Sequence, residues 1–277
     1  PYLAKVDAGT VDLVRSLGAQ VLGSGDLLGL LSSWTSAQLA AHRRAAAEVL
    51  RAKDLAFAFL RERGVGVRER EVQRRICEHF DAAGLVYDHP AIVGFGPHAG
   101  DPHYAPRAGT DRALAPGDAV LIDLWAKLPE PDAPYADITW MGVAGAPASE
   151  LVRVWEVVRD ARDLAVATLA GAYAEGREPE GREIDRAARD FIAAAGYGEA
   201  FIHRTGHSLG TLATHGDGAH LDDYETRDTR RLRPGLGLTV EPGVYLSAFG
   251  VRSEINLYLN ETGPELTTAA QLELIVV

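Results

Sequence analysis

The sequence predicts an α/β (α+β) domain built from two similar halves, each running helix, helix, histidine-containing loop and then two strands. Three observations predict it. The same order of elements occurs twice, although residue-level similarity between the halves is weak. Each half carries two carboxylates on its strand pair, Asp123 and Asp137 in the first and Glu241 and Glu254 in the second. With 277 residues, 47% of them hydrophobic and 24% charged, the chain can bury a sizeable core.

Residues 2–31 alternate short apolar runs with glycine turns, and Gly23-Ser24-Gly25 reads as a breaker. Such a segment cannot bury a core alone. Residues 1–35 are therefore expected to be a lead-in or the tail of a mostly absent N-terminal domain, with 36–277 as the main domain. The chain begins at Pro1 without an initiator Met, which suggests processing or sequence missing upstream. Thr35-Ser36-Ala37-Gln38 has the pattern of a capping box opening a long helix over 37–63, with Leu39, Val49, Leu50, Leu55, Phe57 and Leu60 facing inward and Gly64 as the stop. A second helix over 68–83 follows from Val72, Ile76 and Phe80 recurring every four residues. The stretch 94–116, rich in glycine and proline and containing His98 and His103, reads as loop. Strands are expected at 119–126 and 135–143.

The pattern then restarts. Ser149 is placed to cap a helix running to about Tyr173, with Leu151, Val154, Val157 and Leu164 on its apolar side, and Ile184, Ala188 and Phe191 mark a second helix ending at Gly196. A glycine- and histidine-rich loop over 201–218 precedes strands at 238–246, 251–259 and 272–277.

Charge narrows the function classes. There are 28 basic and 39 acidic residues, a net charge of −11, which argues against binding a nucleic-acid backbone. No apolar run is long enough to cross a membrane, and the first residues lack the pattern of a signal peptide. Cys77 is the only cysteine, so no intrachain disulfide can form, as suits a cytoplasmic protein.

The chemistry is carried by acids in unusual places. A buried carboxylate is costly unless paired or bound to metal, and acids are depleted inside strands. Yet Asp123 interrupts Val-Leu-Ile-Asp-Leu-Trp, and Glu241 interrupts Leu-Thr-Val-Glu-Pro-Gly-Val-Tyr. Asp137 and Glu254 lie in the partner strands. Any one of these acids alone could be a cap or half of a surface ion pair. Four at matching places in two halves would repel one another without a counter-charge, and two divalent cations would supply it.

Five ordered segments resemble the signature segments of the pita-bread metallopeptidases, family M24: Leu121-Ile-Asp123-Leu, Tyr135-Ala-Asp137-Ile-Thr, His203-Arg-Thr-Gly-His207-Ser-Leu-Gly, Thr239-Val-Glu241-Pro-Gly-Val-Tyr and Gly250-Val-Arg252-Ser-Glu254. The resemblance covers roughly residues 36–277 and is strongest to Xaa-Pro aminopeptidases and Xaa-Pro dipeptidases (prolidases). It implies a pita-bread fold, with the antiparallel strands forming a curved sheet. It also implies that Asp123 and Asp137 hold one metal and His207 and Glu241 the other, with Asp137 and Glu254 bridging. A donor set of carboxylates and one imidazole suits Mn²⁺, and Zn²⁺, Co²⁺ or Fe²⁺ are also compatible. By the same resemblance a metal-bridging hydroxide attacks the scissile carbonyl, with Glu241 doubling as general base.

His103 and His215 match family histidines that contact substrate or shuttle a proton, and His203 could line the same pocket. Arg252 would orient a bridging carboxylate or read a substrate carboxylate. His42, His79, His89, His98 and His220 match nothing in the family and are assigned structural or surface roles. This sequence departs from the family in the longer spacing between the two aspartates, in Trp140 and Asn256 at positions where an arginine and an acid are common, and in a His215 one residue further from His207 than usual.

The expected activity is removal of the N-terminal residue from peptides, at Xaa-Pro bonds. Alternatives are a dipeptidase restricted to Xaa-Pro dipeptides, a methionine-type aminopeptidase, and a non-catalytic binding module on the same fold. The partner is a peptide, with neither nucleic acid nor membrane, and a homodimer is compatible.

Overall fold

The computed structural model describes residues 6–23 and 31–277. The first described element, α1 (Ala8–Ser16), is a helix where the sequence suggested only turns and short apolar runs. Asp7 caps it by accepting the Thr10 N–H, and none of its side chains is buried. Of the expected breaker at Gly23-Ser24-Gly25, only Gly23 falls among the described residues.

The first half begins with α2 (Ser36–Arg63), opened by the Thr35–Gln38 capping box and closed at Gly64. Then come α3 (Glu69–Ala82), β1 (Ile92–Phe95), β2 (Ala119–Ala126) and β3 (Ala136–Val143). The second half has α4 (Ser149–Ala174), α5 (Gly181–Ala194), β4 (Gly237–Val240), β5 (Gly243–Tyr245), β6 (Gly250–Arg252), β7 (Ile255–Asn260) and β8 (Gly263–Leu266), with β9 (Ile275–Val276) last. One sheet has the order β1-β2-β3-β9, a second β4-β7-β8, and β5 pairs with β6. All pairings are antiparallel except the short parallel contact of β3 with β9.

Several expectations need correcting. Ala148 is the N-cap of α4, so Ser149 already lies inside the helix. Leu164 and Phe191 are exposed, because the buried stripes run through Ala161, Ala165 and Leu169 on α4 and through Ile184, Ala188 and Ile192 on α5. The expected strand 238–246 is broken at Glu241-Pro242, and 251–259 at Ser253-Glu254. Glu241 and Glu254 therefore occupy strand breaks, not strand interiors. Proline has no N–H for a ladder, and the Glu254 N–H instead donates to the Thr139 carbonyl at 3.2 Å. The expected last strand shrinks to the two residues of β9, and β1 forms partly inside the stretch read as loop.

Strands β2 and β3 are buried on both faces, and their period-two alternation positions the site. Val120, Ile122, Leu124, Ala136 and Ile138 pack with α2 and α3 in one core. Leu121, Met141 and Val143 point the other way, into the core built with α4 and α5. Asp123, Trp125, Asp137 and Thr139 continue that second face beyond its apolar part, so these strands turn their polar residues toward the other half.

Strand β3 has little neighbour on its outer edge, since β9 pairs only with Gly142 and Val143. Two amide side chains replace the missing strand. Asn256 accepts the Asp137 N–H at 3.0 Å and donates to the Asp137 carbonyl at 2.5 Å. Gln271 does the same for Met141, at 2.8 and 2.6 Å. An amide gives and takes through two separate atoms, as an ionised carboxylate cannot, which accounts for Asn256 at a position where family members often carry an acid. Asn256→Asp is expected to lower unfolding free energy by about 1–3 kcal/mol, because it removes the donor and sets a carboxylate against a carbonyl. Urea denaturation would read this, and an unchanged midpoint would contradict it.

Among the described residues no helix is long and apolar enough to cross a membrane.

Candidate active site

A cavity of roughly 520 Å³ opens between the halves, and all nine residues singled out in the sequence line it: His103, Asp123, Asp137, His203, His207, His215, Glu241, Arg252 and Glu254. Ligand-type atoms of Asp137, His207 and Glu254 lie within 4.8 Å of one another. His207 Nε2 is 3.5 Å from Asp137 Oδ2 and 3.4 Å from Glu241 Oε1. Asp123 stands on the strand beside Asp137, its carboxylate engaged by Arg252 Nη2.

The backbone explains the convergence. Residues 205–209 run extended along β4: the Glu241 N–H donates to Thr205, Thr239 to His207, and Leu209 to Gly237, at 2.7, 2.8 and 2.9 Å. A Cβ at Gly206 would stand 2.2 Å from the Thr239 carbonyl oxygen, so only glycine lets the chain approach β4 this closely just before His207. His207 Nδ1 bonds the Ser208 carbonyl at 3.0 Å, which makes Nδ1 the protonated nitrogen and turns the Nε2 lone pair to the carboxylates. Glu254, whose N–H reaches across to Thr139, accepts the Thr139 hydroxyl at 2.8 Å.

Arg252 ties the cluster together. Besides Asp123, its Nε donates to Thr139 Oγ1 at 2.9 Å and its Nη1 to the Tyr245 hydroxyl at 3.2 Å, with the Pro102 carbonyl at 3.5 Å. Four of its five donors are thus engaged by the protein. Tyr245 is also 2.8 Å from His203 Nε2, while His203 Nδ1 bonds the Arg204 carbonyl at 2.7 Å. His203 therefore lines the cavity with both nitrogens engaged.

His215 sits in the loop after Gly210, its ring 4.0 Å from that of His207. His103 is exposed at the rim on a loop shaped by buried Glu69, which accepts from the Phe95 and Arg112 N–H groups and from the Tyr104 hydroxyl. Of the five histidines given structural or surface roles, His42 is buried between the Tyr135 carbonyl and Thr267 Oγ1, and His220 accepts the Ser208 N–H. His79 and His98 meet Glu48 and Glu69, and His89 is exposed. Thr139, Tyr245 and Asp88 were not singled out in the sequence. Thr139 could have been found, since it pairs directly with Asp123 and shares a strand face with Asp137.

Electrostatics mark the cluster as short of positive charge. Burial, with Asp137 and Glu241 adding to it and Arg252 opposing, pushes Asp123 up to about 8. Asp137 and Glu254 are raised well above the usual carboxylate range, first by burial and then by neighbouring acids. Burial lowers His207 and takes His203 down to about 3, while the neighbouring His207 and then burial bring His215 to about 4. Asp137 Oδ1 and Glu254 Oε1 are buried and have no hydrogen-bond partner. Buried acceptors without a donor are costly, and a cation satisfies them. Oxygens from carboxylates plus one imidazole nitrogen fit a divalent transition metal.

The model of metallopeptidase family M24 matches residues 40–261. An uncharacterized peptidase of Staphylococcus saprophyticus is 30% identical over 261 residues, 93% of this chain and 69% of its own length. Probable dipeptidase PepE of Mycobacterium tuberculosis is 32% identical over 215 residues, 76% of this chain and 52% of its own length. The chain thus spans about half to two thirds of the curated relatives it matches. Among solved structures, dipeptidase PepE of Mycobacterium ulcerans superposes with a TM-score of 0.81 at 28% identity, over 99% of this chain and 69% of the other. The X-Pro aminopeptidase of Thermotoga maritima gives 0.78 at 25%, over 99% and 73%. The prolidase of Pyrococcus furiosus gives 0.76 at 26%, over 97% and 75%.

Proposed function

Because the chain belongs to metallopeptidase family M24 and has its pita-bread fold, we propose that it is the catalytic part of a two-metal peptidase that removes the first residue of a peptide at an Xaa-Pro bond. The observation that carries this reading is the pair of buried, partnerless oxygens, Asp137 Oδ1 and Glu254 Oε1, beside the His207 Nε2 lone pair.

Asp123, Asp137, His207, Glu241 and Glu254 would hold two divalent ions, Mn²⁺ being favoured by the donor set. Bound there, the ions supply Lewis acidity and neutralise the four carboxylates. Glu241 faces the cavity and is oriented by the Thr239 hydroxyl at 3.1 Å, so it can take a proton from the attacking water. Glu241 then passes that proton to the leaving nitrogen as the C–N bond breaks, leaving a free amino acid and a peptide shortened by one residue. His103 and His215 face the substrate from opposite loops, and His203 orients Tyr245. Arg252, with four donors on the protein, positions Asp123 and Thr139.

His103→Ala is expected to lower turnover by about 10²-fold while metal content stays near that of the parent, since removing one positioned polar group costs that order. Loss of metal would move His103 into the ligand set. A panel of Xaa-Pro dipeptides, Xaa-Pro-Yaa tripeptides and matched Xaa-Ala peptides tests the specificity. Cleavage confined to the proline series supports it, and equal cleavage of the alanine series overturns it. The strong structural likeness to PepE dipeptidase favours a second reading, a dipeptidase, and exclusive cleavage of dipeptides in the same panel would establish that one.

A further inference from the structure

We propose that Asp88 and the indole of Trp125 form a subsite on this cavity for the cationic side chain of a lysine or arginine at the substrate's first residue. The proposal rests on the peptidase reading above. Both residues line the cavity. Trp125 follows Asp123 by two positions on β2 and pairs directly with Asp137 on β3, so all three share one face and the indole stands beside the carboxylate cluster. The indole Nε1 donates to Asp88 Oδ1 at 2.5 Å, fixing ring and carboxylate relative to each other, and Asp88 Oδ1 also accepts the His89 N–H at 3.0 Å.

Charge bookkeeping sets Asp88 apart from the other acids on the wall. Asp123 is paired with Arg252, and Glu225 with Arg204 Nη2 at 2.5 Å. Asp137, Glu241 and Glu254 belong to the cluster that the metals would neutralise. Among the described residues no arginine or lysine lies within ion-pair distance of Asp88. His89 Nδ1 is 3.6 Å away on a largely exposed ring, and Asp137 and Tyr135 also feel the Asp88 carboxylate. Asp88 thus sets a carboxylate on the cavity wall beside an aromatic face.

An alkyl chain ending in a cation is what such a pair recognises: the stem lies along the ring and the head meets the carboxylate. The peptide offers two cations of this chemistry, its α-ammonium and a basic side chain. The α-ammonium shares its Cα with the scissile carbonyl, so hydrolysis holds it near the ligand cluster. Asp88 is joined to that strand face through the Trp125 Nε1, and a lysine side chain lying along the indole brings its head to this carboxylate.

The test compares Lys-Pro-Yaa with norleucyl-Pro-Yaa, which has a similar stem and no charge, on the metal-loaded protein. The expected result is a kcat/KM about 10-fold higher for the lysyl peptide, carried by KM. The preference should disappear in Asp88→Asn and return in part in Asp88→Glu. An equal drop for both peptides in Asp88→Asn would assign Asp88 to the α-ammonium and overturn the proposal, as would an unchanged ratio. If no peptide is cleaved, the peptidase reading fails by itself. Calorimetric binding of the same two peptides still reads the Asp88-dependent preference.

Discussion

Asp137→Ala and Glu254→Ala are expected to lose metal and hydrolysis together, with activity falling roughly 10³-fold or more, since Lewis-acid stabilisation is worth several kcal/mol and each 1.36 kcal/mol is a factor of ten. The same substitutions should have the opposite effect on the metal-free protein. There Asp123, Asp137 and Glu254 crowd one buried site, and burial and mutual repulsion raise all three. Removing one acid relieves the others, so the melting temperature in EDTA should rise while the gain on adding Mn²⁺ is lost. The sign with pH follows. An acid raised in the folded state keeps a proton that the unfolded chain releases, so ν for the native state exceeds that of the unfolded state and stability falls as pH increases. With Asp123 held near 8 in the folded chain and an ordinary aspartate near 3.9, metal-free stability should decline from about pH 4 to about pH 8 through this group alone. Asp137→Ala should flatten that decline. Metal analysis beside thermal melts checks both halves of the argument, and a variant that keeps two metals and full activity contradicts it.

The second large effect is expected at Arg252. Arg252 is 5% exposed, and its guanidinium serves Asp123, Thr139 and Tyr245 at once. Arg252→Met leaves Asp123 without its only cationic neighbour among the described residues and frees Thr139 from one of its two contacts. Above about pH 8, where Asp123 gives up its proton, breaking this buried pair on one side costs about 3–5 kcal/mol. The deficit should be largest in EDTA and smaller with Mn²⁺, because a bound cation gives Asp123 another partner. A side chain that merely filled space would lose the same stability in both conditions, so melts with and without metal separate the two roles.

Much of this arrangement was legible because acids rarely interrupt apolar strands. Asp123 stands out in Val-Leu-Ile-Asp-Leu-Trp, and β2 spans the expected residues, 119–126. Period-two alternation then places Asp123 and Asp137 on one face. The helices were legible where spacing and capping agreed, as at Thr35, and less so on α4 and α5. There Leu164 and Phe191 are as apolar as their neighbours but lie off the buried stripe. Glu241 and Glu254 were found by their setting, yet their strand breaks were not. Val-Glu-Pro-Gly-Val still alternates, and only the loss of the Pro242 donor interrupts the ladder. Tyr245 and Thr139 look like ordinary strand residues, and Trp125 like core. Their roles depend on which side chain reaches across from the other half, and that information is not local. Asn256 appeared as a departure from the family pattern, but its function emerged only from the unpaired edge of β3.

The proposed two-metal peptidase site is tested by metal removal and return. The protein is stripped with EDTA, assayed on an Xaa-Pro-Yaa peptide, and assayed again as Mn²⁺ is returned and bound metal is counted. Cleavage should be absent in the stripped protein and return as occupancy approaches two ions per chain. A chain that binds no metal, or that cleaves equally well without it, would contradict the claim.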